Sequence, residues 1–118
     1  MALSYQSTRG GQQGVSASQA ILQGLAWDGG LFMPTEIPKL EVSLDQLAAM
    51  TYQETAYEVK RLFLTDYTEE ELKSCIARAY DSKFDTEEIA PLVKAGGIYY
   101  LELFHGKTIA FKDMALSI

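Results

Sequence analysis

The sequence predicts an α/β fold: a mostly helical amino-terminal region with one short strand, then a buried strand and helix near the carboxyl end. Helix-start signals and apolar residues at helical spacing fill most of the chain before Gly96-Gly97. A run of β-forming residues follows these glycines. Residues 110–118 then combine helix formers with apolar side chains on almost every side, which is typical of a buried helix.

The helices are predicted from capping boxes, in which a Ser or Thr is followed three residues later by Gln or Glu. Such pairs occur at Ser16/Gln19, Ser43/Gln46, Thr51/Glu54 and Thr68/Glu71. Each side chain of a pair bonds a backbone N–H group that the helix leaves unpaired, so each pair predicts a helix start. In residues 51–66 and 68–81 apolar side chains recur at three- and four-residue steps, which predicts two helices that face a core.

Two strands are predicted. Residues 31–33 (LFM) follow the turn-forming WDGG segment and precede Pro34, which favours a short strand. Residues 98–104 (IYYLELF) are nearly continuous in apolar residues, which is typical of an interior strand covered on both faces.

Composition excludes several classes of function. The 118 residues are 47% hydrophobic, enough for a packed core, and the net charge of −6 argues against a general affinity for nucleic acid. No stretch approaches the ~20 apolar residues that a membrane helix needs, so no membrane partner is expected. The single cysteine, Cys75, cannot form an internal disulfide, and no leader pattern is recognised. These features predict a cytoplasmic protein.

Lys112 is the candidate catalytic residue, because it falls in the first turn of the predicted apolar helix. Desolvation and the positive end of a helix dipole both disfavour a charged ammonium group there. A neutral amine is the form that attacks an aldehyde to give a Schiff base, so the setting suits a nucleophilic lysine. An exposed lysine at a helix start is the alternative that the local sequence leaves open.

Two separated patches resemble the threonine synthase family. Residues 101–113 (LELFHGKTIAFKD) resemble the family motif LELFHGPTxAFKD, with Lys107 in place of the usual proline. Residues 5–10 (YQSTRG), 23–26 (QGLA) and 28–34 (DGGLFMP) are similar to the amino-terminal signature STRG…QGLAxDGGLFxP. Between residues 40 and 96 the likeness rests on helix pattern rather than on residue identity.

The resemblance implies a fold-type II pyridoxal-phosphate enzyme that converts O-phospho-L-homoserine and water to L-threonine and phosphate. It implies that residues 1–95 are the amino-terminal domain and that residues 96–118 begin the cofactor-binding domain. Lys112 would form the Schiff base with pyridoxal 5'-phosphate and move protons at the substrate's Cα and Cβ. Phe111 and Asp113 are candidate cofactor contacts, and for Asp113 a structural role is equally open.

Three further residues of the two patches keep open roles. His105, the only histidine, suits a structural or pocket-edge position, and no metal site is expected because no ligand pattern surrounds it. Lys107 can meet phosphate or solvent, and Arg9 can bind an anion or form a surface ion pair.

The same resemblance predicts limits on what the chain does alone. The phosphate-binding loop of that fold would lie beyond Ile118, so we expect the chain by itself to be an inactive, truncated fragment. An exposed apolar end would also favour self-association. The alternative function is a noncatalytic threonine synthase-like protein or a phospho-ligand binding module.

Overall fold

A computed structural model describes residues 2–118 of the chain, which form five helices and four short strands. In chain order these are β1 (Tyr5–Ser7), α1 (Ala17–Gln23), β2 (Phe32–Pro34), α2 (Leu44–Ala48), α3 (Tyr52–Phe63), α4 (Glu69–Ala79), β3 (Leu92–Ala95), β4 (Ile98–Leu101) and α5 (Asp113–Leu116). The α/β class predicted from the sequence is confirmed. None of the helices in residues 2–118 is long and apolar enough to cross a membrane.

Capping boxes start the helices where the sequence predicts them. Reciprocal hydrogen bonds form at Ser16/Gln19, Thr51/Glu54 and Thr68/Glu71. Ahead of α3, for example, the Thr51 N–H donates to Glu54 Oε2 at 2.8 Å and the Glu54 N–H donates to Thr51 Oγ1 at 3.2 Å. The signal at Ser43 also precedes a helix, since α2 begins one residue later.

The chain folds as two compact units, of which the first comprises residues up to 43 together with 58–72. Here β1 and β2 pair as antiparallel strands, with Tyr5 opposite Pro34 and Ser7 opposite Phe32. The strand predicted at residues 31–33 is therefore confirmed as β2, whereas β1 was not predicted. The buried apolar side chains of this unit are Leu3, Val15, Ala17, Ala20, Ala26 and Leu72.

The second unit comprises residues 44–57 and 73–118. Its core consists of Ile76, Ala79, Tyr80, Phe84 and Ile89, with Tyr52, Ala56, Tyr57 and Met114 packed against them. The two helical stripes predicted from the sequence supply most of these side chains. The Tyr80 ring meets the Tyr52 ring edge to face, with 4.9 Å between their centroids.

The predicted interior strand forms one half of a hairpin. β3 and β4 pair as antiparallel strands, with Leu92 opposite Leu101. Gly96 and Gly97 make the turn with φ angles of 58° and 79°, the sign that favours a two-residue hairpin turn. The prediction that this strand is buried is wrong, since Ile98 and Leu101 are each 59% exposed. Every residue of β3 and of β4 is exposed.

The helix predicted over residues 110–118 is shorter and more exposed than expected. α5 spans only Asp113–Leu116, and the Phe111 and Leu116 side chains are each 74% exposed. Residues 110–112 form a turn instead, in which the Asp113 N–H donates to the Ala110 carbonyl at 3.0 Å and the Met114 N–H donates to the Phe111 carbonyl at 3.2 Å. The buried helix of the sequence prediction is therefore wrong, although a helix does follow Lys112.

Candidate active site

Lys112 lies at the amino-terminal end of α5 and is exposed, so the argument from desolvation does not apply to it. The open alternative, an exposed lysine at a helix start, describes its setting. Its side chain lines an apolar cavity of about 600 Å³ in the second unit. The other lining residues are Tyr52, Ala90, Leu101, Leu103, Phe111, Met114, Ala115 and Leu116. Lys112 is thus an accessible amine at the wall of an apolar cavity.

Asp113, the next residue, is buried and fixes the loop that leads to Lys112. Its carboxylate accepts hydrogen bonds from the Thr108 N–H at 2.8 Å and from the Thr108 hydroxyl at 2.6 Å. These bonds are the main reason that the pKa of the Asp113 carboxyl lies below its ordinary value. Because both oxygens bond Thr108, Asp113 fixes the loop that leads to its neighbour Lys112.

Gly106 leaves room for the Asp113 side chain that bonds Thr108. A Cβ atom added to Gly106 would lie 2.6 Å from Asp113 Cβ and 2.6 Å from Asp113 Oδ2, closer than real Cβ contacts allow. The glycine in the motif is thus explained by close packing on the carboxylate.

A second contact anchors α5 to the core of the same unit. The Tyr80 hydroxyl donates to the Met114 carbonyl at 2.6 Å, two residues beyond Lys112. Burial is the main cause that raises the pKa of Tyr80 to about 12, so this hydroxyl stays a donor at neutral pH. The helix that carries Lys112 is therefore held at its start by Asp113 and in its middle by Tyr80.

Phe111 and Lys107 lie on the exposed side of the loop. Phe111 lines the cavity beside Lys112, so an aromatic face is available next to the amine. Lys107 is exposed and does not line the cavity.

His105 lies between two carboxylates. Its Nε2 is 2.7 Å from Glu102 Oε2, and its Nδ1 bonds Asp85 Oδ1. Its backbone carbonyl also accepts from the Asp85 N–H at 3.1 Å. The bond with Glu102, then those with Asp85, raise the pKa of His105 above its ordinary value. The residue does not line the cavity of Lys112, which fits a structural rather than a pocket-edge position.

The amino-terminal signature folds around the carboxylate of Asp28, in the first unit. Asp28 Oδ1 accepts from the Ser7 hydroxyl at 2.6 Å and from the Gly30 N–H at 2.9 Å, and Oδ2 accepts from the Gly11 N–H at 2.8 Å. These bonds, the Ser7 bond foremost, hold the pKa of Asp28 below its ordinary value. Arg9 Nη1 donates to the Asp28 carbonyl at 2.8 Å, so a local structural bond occupies it in part.

Sequence reasoning missed the partners inside both motifs. The sequence left Asp113 open as a cofactor contact or a structural residue, and it did not identify Thr108, five residues earlier, as its hydrogen-bond partner. A hydroxyl residue shortly before an acidic one in a glycine-containing loop is a signal for such a clamp. The pairing of His105 with Asp85 spans twenty residues and leaves no local signal. Among residues 2–118, no group of His, Cys, Asp and Glu side chains could hold a metal ion.

Comparisons with known proteins find relatives of this chain. The family described as "Threonine synthase N terminus" matches residues 4–80. The chain is 44% identical over 118 residues to "Threonine synthase" of Schizosaccharomyces pombe, covering 97% of this chain and 23% of that protein. It is 40% identical over 117 residues to "Threonine synthase-like 2" of Homo sapiens, covering 96% of this chain and 24% of that one.

A solved structure is similar as well. It is the crystal structure of pyridoxal-phosphate-bound threonine synthase from Brucella melitensis, with a TM-score of 0.85 and 35% sequence identity. The match covers 98% of this chain and 25% of that one, so the chain spans about a quarter of the length of these relatives. The fold is that of the amino-terminal part of a fold-type II pyridoxal-phosphate enzyme. Within that class, the chain belongs to the threonine synthase family.

The residues present fit pyridoxal phosphate in two respects. An accessible lysine amine can hold the cofactor through its aldehyde, and the apolar cavity beside Lys112 and Phe111 suits a flat ring. The Asp113 carboxylate bonds Thr108 through both oxygens, so its observed contacts lie within the loop.

Proposed function

We propose that this chain contributes the lysine-bearing segment of a threonine synthase, which converts O-phospho-L-homoserine and water to L-threonine and phosphate. The observation that carries the proposal is the accessible Lys112 amine at the wall of an apolar cavity, on a loop fixed by Asp113. Membership of the family and the likeness to the pyridoxal-phosphate-bound enzyme support it. Because the chain spans about a quarter of its relatives, the activity belongs to the whole enzyme.

In the proposed mechanism Lys112 has two tasks. Its Nζ would hold the cofactor, and with substrate bound the free Nζ would accept and return protons at Cα and Cβ of the substrate. Pyridoxal phosphate, when bound, supplies the electron sink that makes loss of these protons feasible. Phe111 contributes an aromatic side chain to the lining of the cavity, while Asp113 keeps the loop in place. Phosphate leaves from Cγ, and water adds at Cβ.

The remaining assignments follow from the same proposal. Residues 1–95 form the amino-terminal domain and residues 96–118 begin the cofactor-binding domain, with the boundary at the turn of the β3–β4 hairpin. The match of the family to residues 4–80 supports the amino-terminal part. The substrate is a small molecule, neither nucleic acid nor membrane is a partner, and the cytoplasm is the proposed location.

Self-association through the exposed carboxyl-terminal segment is part of this proposal. Phe111, Leu116 and Ile118 are 74%, 74% and 41% exposed, respectively. An apolar surface of this kind favours contact with a second copy of the chain when nothing else covers it.

A noncatalytic role is the second candidate, because relatives with two different names are similar to the chain to nearly the same degree. The chain is 40% identical to a human protein named only as threonine synthase-like, close to its 44% identity with a fungal threonine synthase. Sequence similarity over this segment therefore does not distinguish relatives named threonine synthase from those named threonine synthase-like. A protein of the second kind would bind a phosphorylated ligand without releasing phosphate from O-phospho-L-homoserine.

The test uses the whole gene product in a bacterium that lacks its own threonine synthase. We expect the unchanged protein to restore growth without threonine and to release phosphate from O-phospho-L-homoserine. Lys112→Ala should abolish both, whereas Lys107→Ala, which removes an exposed lysine outside the cavity, should leave both intact. Ligand binding with no phosphate release by the unchanged protein would instead identify the noncatalytic role. Equal activity of Lys112→Ala and the unchanged protein would refute the assignment of the lysine.

A further inference from the structure

His105 is held by two segments that meet beside the lysine loop. Glu102 lies just after β4, and Asp85 lies in the loop that follows α4. Both carboxylates bond the imidazole ring, and the Asp85 N–H also donates to the His105 carbonyl. The His105 side chain is only 15% exposed, and the Phe104 ring packs against it with 4.5 Å between centroids. The backbone just before Gly106 is therefore fixed through side chain and main chain together.

This fixed point is connected to Lys112 by a short series of contacts. Gly106 follows His105 directly and packs on the Asp113 carboxylate. Asp113 bonds Thr108 and is the first residue of α5. The loop from Gly106 to Lys112 is therefore anchored at one end by His105 and at the other by Asp113. Loosening of the His105 end would free Gly106 to move away from Asp113 and would widen the range of positions open to Lys112.

From these contacts we propose that His105, paired with Asp85 and Glu102, is a positioning residue that holds the loop carrying Lys112. The inference rests on the proposed function for the importance of Lys112, but the loop contacts themselves do not depend on it. His105 touches neither the cavity nor the amine and acts only through the loop.

The protonation state of His105 decides how well the loop is held. The charged groups that face the ring are Asp85 and Glu102, and only the imidazolium has two N–H donors to serve both carboxylates. The neutral ring donates through one nitrogen, which leaves its second nitrogen, an acceptor, facing a carboxylate. Because the pairing raises the pKa above the ordinary value of 6.5, its contribution is complete below that value and is lost as the pH rises through the raised pKa.

The backbone N–H of Thr108 reports on the loop, because it donates to Asp113 Oδ2. We would measure its hydrogen-exchange protection factor by nuclear magnetic resonance in the whole protein, at mildly acidic and at alkaline pH. The unchanged protein should lose protection about tenfold between the two conditions. His105→Gln, which replaces the two ring nitrogens by one donor nitrogen and one acceptor oxygen, should show the lower protection at both pH values. Glu87→Gln is the control for the Glu102→Gln variant described next. It makes the same charge change on an exposed residue, so its Thr108 protection should equal that of the unchanged protein.

Glu102→Gln provides a second test if His105→Gln does not fold. It leaves His105 paired with Asp85 alone, so the loss of Thr108 protection should move to lower pH. Protection that is independent of pH in the unchanged protein, or equal in the unchanged protein and the folded His105→Gln or Glu102→Gln variants, would overturn the inference.

A second measurement separates this inference from the proposed function. Each protein is mixed with pyridoxal phosphate, reduced with borohydride, and mapped for label on Lys112 relative to Lys107. If Lys112 is labelled selectively in the unchanged protein and less selectively in His105→Gln, the result supports both the positioning role of His105 and the proposed function. Selective labelling that is equal in the two proteins overturns the positioning role alone. Absence of label on Lys112 in the unchanged protein, with Thr108 protection responding as expected, supports the hold on the loop and contradicts the proposed function.

Discussion

Replacement of Tyr80 by Phe removes one oxygen atom and tests whether the core of the second unit holds α5. Tyr80 is 3% exposed, and its hydroxyl donates to the Met114 carbonyl at 2.6 Å. The ring stays, so no cavity forms and the contact with Tyr52 is kept. A hydrogen bond contributes about 1 kcal/mol net, and the carbonyl left without its donor adds to the loss, so we expect a decrease of about 1–2 kcal/mol in the free energy of unfolding.

The assay is urea unfolding followed by circular dichroism, with Tyr99→Phe as the matched control. Tyr99 is 62% exposed, so loss of its hydroxyl should change stability by less than about 0.5 kcal/mol. The pH dependence gives an independent check. Because the folded pKa of Tyr80 is raised from 10.0 to about 12, its contribution is complete below pH 10.0 and is lost as the pH rises toward 12. Equal unfolding of Tyr80→Phe and Tyr99→Phe at neutral pH would refute the reasoning.

Three further outcomes are expected. Gly106→Ala should destabilise the protein by about 1–3 kcal/mol in urea unfolding, because the new Cβ overlaps the Asp113 side chain; an unchanged midpoint would contradict the close packing. Asp113→Asn should reduce the selectivity with which borohydride and pyridoxal phosphate label Lys112. The amide has one acceptor oxygen in place of two, so the Thr108 N–H and the Thr108 hydroxyl can no longer each donate to a separate oxygen. Retained selectivity would argue against the role of Asp113 in fixing the loop. Asp28→Asn should lower the urea midpoint at neutral pH and remove part of the loss of stability in acid. The pKa of Asp28 is depressed, so its contribution is present above the ordinary value of 3.8 and is lost as the pH falls through the folded value; acid sensitivity equal to that of the unchanged protein would contradict this.

Helices were the part of the fold that the sequence predicted best, because their signals are local. The capping boxes at Thr51 and Thr68 involve residues three apart, and the apolar stripes repeat within one helix. β1 is different: its three residues become a strand only by pairing with β2, more than twenty residues later. β3 was missed for a similar reason, although the glycines of the hairpin turn were visible.

Exposure was the property that the sequence predicted worst. A run of apolar residues shows that a segment gains free energy from burial, but it does not show whether a partner surface is present in the same chain. The apolar character of β4 and α5 was therefore identified correctly, while their burial was not. Lys112 was found from its motif, and its accessible setting came only from the structure.

The carboxylate of Asp28 also bears on how the amino-terminal segment tolerates changes in length. Its bond to Ser7 joins two residues 21 positions apart, so the chain between them forms a closed loop. The entropy of closing such a loop grows only with the logarithm of its length, about 0.6 kcal/mol for each doubling. Loop length itself therefore costs little, but an extra residue at Gly14 would displace Val15, whose N–H and carbonyl both bond Tyr5. An extra residue between Asp28 and Gly30 would separate the two groups that the carboxylate joins. Homologous chains are therefore expected to keep a fixed spacing at both places.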